Sequence, residues 1–152
     1  MSGPRPRRPG YMSAYGVPEH EQGMLPWAWA EERLVPAHNY WVATSGPHAS
    51  PVWGLWRNNA FVFSCSPTSR KARSLARDPH IVVHLEGGDD VVIVEGEAEQ
   101  VAPTPELLAE YAAKYGPVDA DIGNWYAVRP RRAFAWQEAT FPNSPTRFDF
   151  ES

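Results

Sequence analysis

A chain of 152 residues with 43% apolar side chains is long enough to fold as one domain around a real core. Its net charge of −4 argues against general nucleic-acid binding, and its single cysteine, Cys65, excludes an internal disulfide. No apolar run approaches a membrane span and no hydrophobic signal region opens the chain, so a cytoplasmic protein is the expectation.

Residues 1–18 are rich in Pro, Arg and Gly and offer little to bury. They read as a mobile tail with Arg5, Arg7 and Arg8 free, and residues 19–152 read as the folded domain. Pro26 suits the first turn of a helix that places Trp27, Ala30 and Leu34 on one face, until Pro36 ends it. Tyr40 to Arg57 reads as a hairpin turning at Gly46-Pro47-His48. Pro51 there marks an edge or bulge, and Gly54 marks a place where something approaches the backbone closely. Asn58-Asn59 turns the chain into a third strand, Ala60 to Cys65.

The stretch FSCSPTSRKARSLARDP, Phe63 to Pro79, carries the most chemistry. A strand ends, a polar turn follows, and a short basic helix begins. Thr68 is the expected N-cap, with Ser66 as its competitor, and Pro79 stops the helix. Ala72, Leu75 and Ala76 share the inward face, while Arg70, Arg73 and Arg77 lie on another. Free N–H groups at the helix start, hydroxyls at Ser66, Thr68 and Ser69, and cations at Arg70 and Lys71 converge in one turn. That combination suits a phosphate. The plainer alternative is a solvated basic helix packed on a sheet.

His80 to Glu86 and Val91 to Val101 are the fourth and fifth strands. On the fifth, Val92, Val94, Gly96 and Ala98 face one way and Glu95, Glu97 and Glu99 the other. Thr104-Pro105 opens a helix with Leu108, Tyr111, Ala112 and Tyr115 as its buried stripe, closed by Gly116-Pro117. Asp119 to Tyr126 reads as short helix or loop. Ala133 to Gln137 is a sixth strand, and Thr146 to Phe150 has the pattern of a short seventh. The reading is mainly β with a few helices. A sheet of this kind removes its edges by closing into a barrel. The histidines have no metal-ligand spacing, so no metal site is expected.

The series YWVATSGPHASPVWGLW, AFVFSCSPTSRKARSLARDPHIVVHLE and VVIVEGEAEQV resembles the flavin- and deazaflavin-dependent oxidoreductases related to pyridoxamine 5'-phosphate oxidase, from about Trp27 to Trp136. The resemblance implies a six-stranded antiparallel split β-barrel, a homodimer, and an FMN or coenzyme F-420 at the subunit interface. By position it implies that Ser66, Ser69, Arg70 and Lys71 hold the cofactor phosphate. Pro51, Val52, Trp53 and Gly54 would run beside the ring, and Phe63, Ser64 and Cys65 would approach the ribityl chain. Trp125, Tyr126 and Trp136 would reach the ring of the other subunit.

The implied activity is hydride transfer from reduced F-420 or FMN to an electron-poor small molecule, with the cofactor supplying the chemistry. Tyr126 and His48 are the candidate proton donors, and Arg129, Arg131 and Arg132 a candidate extension of the basic groove. The chain offers no match to the C-terminal Arg-containing segment of true pyridoxamine 5'-phosphate oxidases, so that activity is not expected. A non-catalytic cofactor carrier or sensor and a heme-binding relative are the competing readings.

Overall fold

The computed structural model describes residues 3–119 and 123–151. Chain order is β1 (Arg5–Arg7), a 3-10 turn (Gly10–Tyr15), α1 (Trp27–Leu34), β2 (Tyr40–Thr44), β3 (His48–Val52), β4 (Leu55–Arg57) and β5 (Ala60–Cys65). Then come α2 (Arg70–Arg77), β6 (His80–His84), β7 (Asp90–Val101), α3 (Pro105–Tyr115), β8 (Asn124–Gln137), a second 3-10 turn (Glu138–Thr140) and β9 (Thr146–Asp149).

Every strand pair is antiparallel, and the main path through the sheet runs β1-β9-β8-β7-β6-β2-β3. β8 is the organising strand. One of its edges pairs with β7 from end to end. Its other edge is shared: residues 124–128 pair with β5 and residues 132–135 with β9. The sheet therefore divides at the middle of β8 and curls around a common core, as a split barrel. β7 and β8 change register at Glu95/Gly96, where Arg131 is the extra residue and Pro130 sits at the bulge. Gly96 is needed there, because a Cβ would run into the carbonyl oxygen of Arg129.

Among the described residues nine strands stand where the resemblance implied six and the sequence pattern a short seventh. The expected return strand of the hairpin breaks into β3 and β4 at Trp53-Gly54. β3 stays with β2 and β4 turns away to pair with β5. Gly54 makes the corner: a Cβ there would strike the Phe61 ring and the Val62 carbonyl oxygen. The close neighbour expected at Gly54 is thus the chain itself. The Asn58-Asn59 turn has φ of 50° and 58°, the left-handed geometry of a tight hairpin connection.

β9 is the short seventh strand expected at Thr146 to Phe150, and β1 is the remaining strand, within the stretch that reads as a tail. Arg5–Arg7 pairs with β9. Arg7 meets Asp149 at 3.2 Å, and Arg8 donates to the carbonyl oxygens of His20, Gln22, Asn143 and Pro145 at 2.7 to 2.9 Å. Met12 and Val17 are buried. A guanidinium gathering four carbonyls, together with two buried side chains, offsets the ordering cost that composition alone leaves unmet.

The main core joins Leu34, Tyr40, Val42, Phe61, Phe63, Val83, Val94, Val128 and Phe148. A second cluster under α3 joins Leu55, Val62, Leu107, Tyr111 and Trp125. Leu107, rather than Leu108, is the buried leucine of α3. Thr104 caps that helix as expected, accepting from the Leu107 amide at 3.1 Å. No helix among the described residues is long and apolar enough to cross a membrane.

Candidate functional site

The turn from β5 into α2 is built by its own hydroxyls. Ser66 Oγ lies 3.1 Å from Thr68 Oγ1 and accepts from the Thr68 amide at 3.3 Å. Ser69 Oγ donates to the Ser66 carbonyl oxygen at 2.7 Å and accepts from the Ala72 amide at 3.1 Å. Ser69 is therefore the N-cap, in extended conformation, in place of the expected Thr68 or Ser66. An oxygen three residues before the amide it accepts from fits the cap geometry, and Thr68 is one residue too early.

Shaping the turn occupies these hydroxyls. The donors left over are the amides of Arg70 and Lys71, which have no acceptor among the described residues, and the two side-chain cations. Lys71 Nζ donates to Ser50 Oγ at 3.0 Å, and Arg70 Nη2 reaches the Pro47 carbonyl oxygen at 3.4 Å. Both cations thus lean from the helix onto the β2–β3 hairpin. The first turn of α2 contains no acidic residue. Cations at the positive end of a helix oppose the helix dipole, by about 0.3–1 kcal/mol each. Two free amides and two cations without a carboxylate are a donor set that fits a phosphate.

β3 supplies the adjacent wall. Within the described residues it pairs only with β2, so one row of its backbone groups has no strand partner. Pro51 and Val52 lie on this edge strand, and proline suits such an edge because it has no N–H to give. Trp53 is 44% exposed and stacks on Tyr115, with ring centres 4.6 Å apart and planes 6° apart. Gly54 is buried and fully engaged: its amide donates to Tyr115 Oη at 3.1 Å, and its carbonyl accepts from Lys114 Nζ at 3.0 Å. Burial raises the Tyr115 pKa and lowers that of Lys114.

The remaining positions are spread out. Cys65 is half-buried at the end of β5, opposite Asn124. Trp125 is 2% exposed and meets Tyr111 edge-on at 5.3 Å, within the cluster under α3. Its indole is packed in the core of its own chain. Trp136 is half-buried at the other end of β8, eleven residues on, roughly 35 Å along an extended strand. The two tryptophans do not belong to one site on one chain. Tyr126 is also core, 5% exposed and 5.5 Å from Phe63. His48 stands near the helix; loss of solvent, then Arg70 and Lys71, lower its pKa.

Of the cluster weighed as either a basic extension or a solvated charged strand end, Arg131 meets Glu97 and Arg132 meets Glu95, both at 2.9 Å. Ser50 was missed by sequence reasoning. Its only signal was its place beside Pro51 on a strand that the basic helix would face. No group of metal-ligating side chains occurs among the described residues.

Comparison with known proteins adds the following. Among solved structures, a conserved hypothetical protein from Mycobacterium tuberculosis is 24% identical with a TM-score of 0.62, covering 74% of this chain and 85% of its own. An F420 reductase is 20% identical with a TM-score of 0.55, covering 67% and 94%. A heme-binding protein from Mycobacterium smegmatis is 23% identical with a TM-score of 0.56, covering 74% and 55%. At these identities the likeness speaks for the fold. No curated protein matches the chain. The model of the family described as pyridoxamine 5'-phosphate oxidase matches residues 30–141, which include the hairpin, the β5–α2 turn and all of β8. The chain belongs to the pyridoxamine 5'-phosphate oxidase family.

Proposed function

We propose that the protein binds a flavin-type cofactor, coenzyme F-420 or FMN, by its phosphate at the β5–α2 turn, and acts as a reductase on an electron-poor small molecule. The observation that carries this reading is the pair of acceptor-free amides at Arg70 and Lys71, flanked by two cations and no carboxylate. When bound, the cofactor would supply hydride chemistry. Arg70 and Lys71 would hold its phosphate, and the unpaired edge of β3 at Pro51 and Val52 would orient the ring. Lys71 and Ser50 tie these two parts together at 3.0 Å.

The same reading includes a homodimer. On the sheet face opposite the core, Trp41 and His84 stack with planes 4° apart, and half-buried Val82, Ile93 and Trp136 share that face. Tyr11 covers Phe134 at one end of it. A partner on the open part would exclude water from a ring lying along β3. The location read from the sequence is cytoplasmic.

Side-by-side titration of the purified protein with FMN, F-420 and heme tests the reading. Saturable binding of FMN or F-420, weakened by Lys71→Ala, is expected, as is turnover of a quinone or enone by the reduced complex. Binding without turnover would leave a carrier or sensor. Binding of heme alone, with Lys71→Ala indifferent, would overturn the proposal.

A further inference from the structure

The seam of the sheet opens a hollow away from the β5–α2 turn. On one edge of β8, residues 124–128 pair with β5 and residues 132–135 with β9, so residues 129–131 lie between them without a strand partner on that edge. A hollow of about 530 Å³ forms there, between residues 3–5, the Asn58-Asn59 turn, Arg129-Pro130 and residues 149–151. Pro130 and Phe150 give it apolar surface, and the Trp27 ring braces Phe150 edge-on at 4.9 Å.

Two cations line this hollow without an ion pair, and the sheet register shows why. Arg5 stands opposite Asp149, but that carboxylate is held by Arg7 at 3.2 Å and by Arg147 at 2.7 Å. Arg129 stands opposite Glu97, which Arg131 takes at 2.9 Å. Each arginine is thus left over by its neighbours. The turn adds a donor: Asn59 Oδ1 accepts from Trp27 Nε1 at 3.3 Å, which orients the amide and leaves its NH2 group without a partner among the described residues. Glu151 also lines the hollow, is exposed and pairs with neither arginine. One open carboxylate beside two cations leaves a single positive charge to be matched, and it repels a polyanion. Guanidinium forks suit a carboxylate, and the volume is that of a small-molecule site.

We infer that this hollow binds a small organic monocarboxylate with an aromatic or branched apolar body. The carboxylate lies between Arg5 and Arg129 with the Asn59 amide beside it, and the body packs on Phe150 and Pro130. The ligand supplies the counter-charge that Asp149 and Glu97 give to other arginines, and it takes apolar surface out of water. The hollow shares no residue with the β5–α2 turn, so the site does not rest on the cofactor reading.

NMR titration of the full chain with phenylacetate tests this, read at the side-chain amides of Asn58 and Asn59, with acetate, phenylacetamide and inorganic phosphate as controls. Phenylacetate should shift these signals saturably and bind about tenfold or more tighter than each control. Arg5→Gln and Arg129→Gln should each weaken it by about tenfold, the scale of a charge-assisted hydrogen bond. Both side chains are exposed, so neither change reaches the core. Lys71→Ala should leave phenylacetate binding as it is. No saturable shift, equal binding of acetate, phenylacetamide or phosphate, or an affinity kept by both arginine variants would overturn the site.

Discussion

Lys71 Nζ donates to Ser50 Oγ at 3.0 Å, and this bond joins the basic start of α2 to the free edge of β3. It aims the lysine at the place where a phosphate would meet both the helix amides and the hairpin. Lys71→Ala should weaken FMN or F-420 binding by about 1.5–3 kcal/mol, the worth of a charge-assisted hydrogen bond. Ser50→Ala leaves the charge and removes only its tether, so the loss should be smaller, about 0.5–1.5 kcal/mol. Fluorescence titration of each variant checks the order. Equal affinities for wild type and Lys71→Ala would remove this lysine from the site.

The corner at Gly54 predicts a fold lesion away from the cradle. Tyr115 Oη sits 2.7 Å from the His38 carbonyl oxygen, 3.0 Å from that of Gly54, and accepts from the Gly54 amide. Tyr115→Phe leaves the part-buried Gly54 amide without its acceptor, while the Gly54 carbonyl keeps Lys114, and should cost about 1–3 kcal/mol. Gly54→Ala forces a methyl into Phe61 and should cost a similar amount by overpacking. Urea denaturation measures both. A stability unchanged in either variant would mean the corner relaxes freely.

How much of this was legible beforehand depended on the range of each interaction. Alternation along β7 and the Thr104-Pro105 start of α3 are local signals, and both correspond to what is observed. The break between β3 and β4 was not legible, because it is imposed by Phe61 and by Tyr115, sixty-one residues from Gly54. The N-terminal strand was missed for the same reason: its order comes from Asp149 and from carbonyls at His20, Gln22, Asn143 and Pro145. At the site, residue types announced the cations. Which hydroxyl caps the helix, and that Lys71 meets Ser50, needed the turn's actual path.

Asp78 predicts an acid-sensitive contribution to stability. Bonds from Ser45 Oγ at 2.5 Å, the His80 amide at 3.0 Å and the His80 ring at 2.6 Å hold its pKa down, from an ordinary 3.8 to about 2. A depressed carboxylate stabilises the fold above its unfolded pKa and loses that effect as pH falls through the folded value. The contribution is complete above about pH 4 and gone below about pH 2. Asp78→Asn should therefore lower the urea midpoint at neutral pH, with the gap to wild type closing between pH 4 and 2. A gap that stays constant with pH would show that the carboxylate charge is not what matters.

Ser69 gives the sharpest separation between the two accounts of the β5–α2 turn. If Ser69 is the N-cap, Ser69→Ala removes an acceptor from the Ala72 amide and a donor to Ser66, and should cost about 0.5–2 kcal/mol. Thr68→Ala removes only a hydroxyl contact to Ser66 Oγ at 3.1 Å on an exposed turn and should cost a few tenths. The cost should also reach the ligand: an uncapped first turn frays, and the Arg70 and Lys71 amides lose their fixed direction. Ser69→Ala should weaken FMN or F-420 binding beyond any effect of Thr68→Ala. Ser69→Asp restores a capping acceptor but places a negative charge beside the phosphate. It should recover stability while binding stays impaired, because the carboxylate repels the phosphate and competes with it for Arg70 and Lys71. Recovery of both together would mean that the cap and the anion cradle do not share this residue.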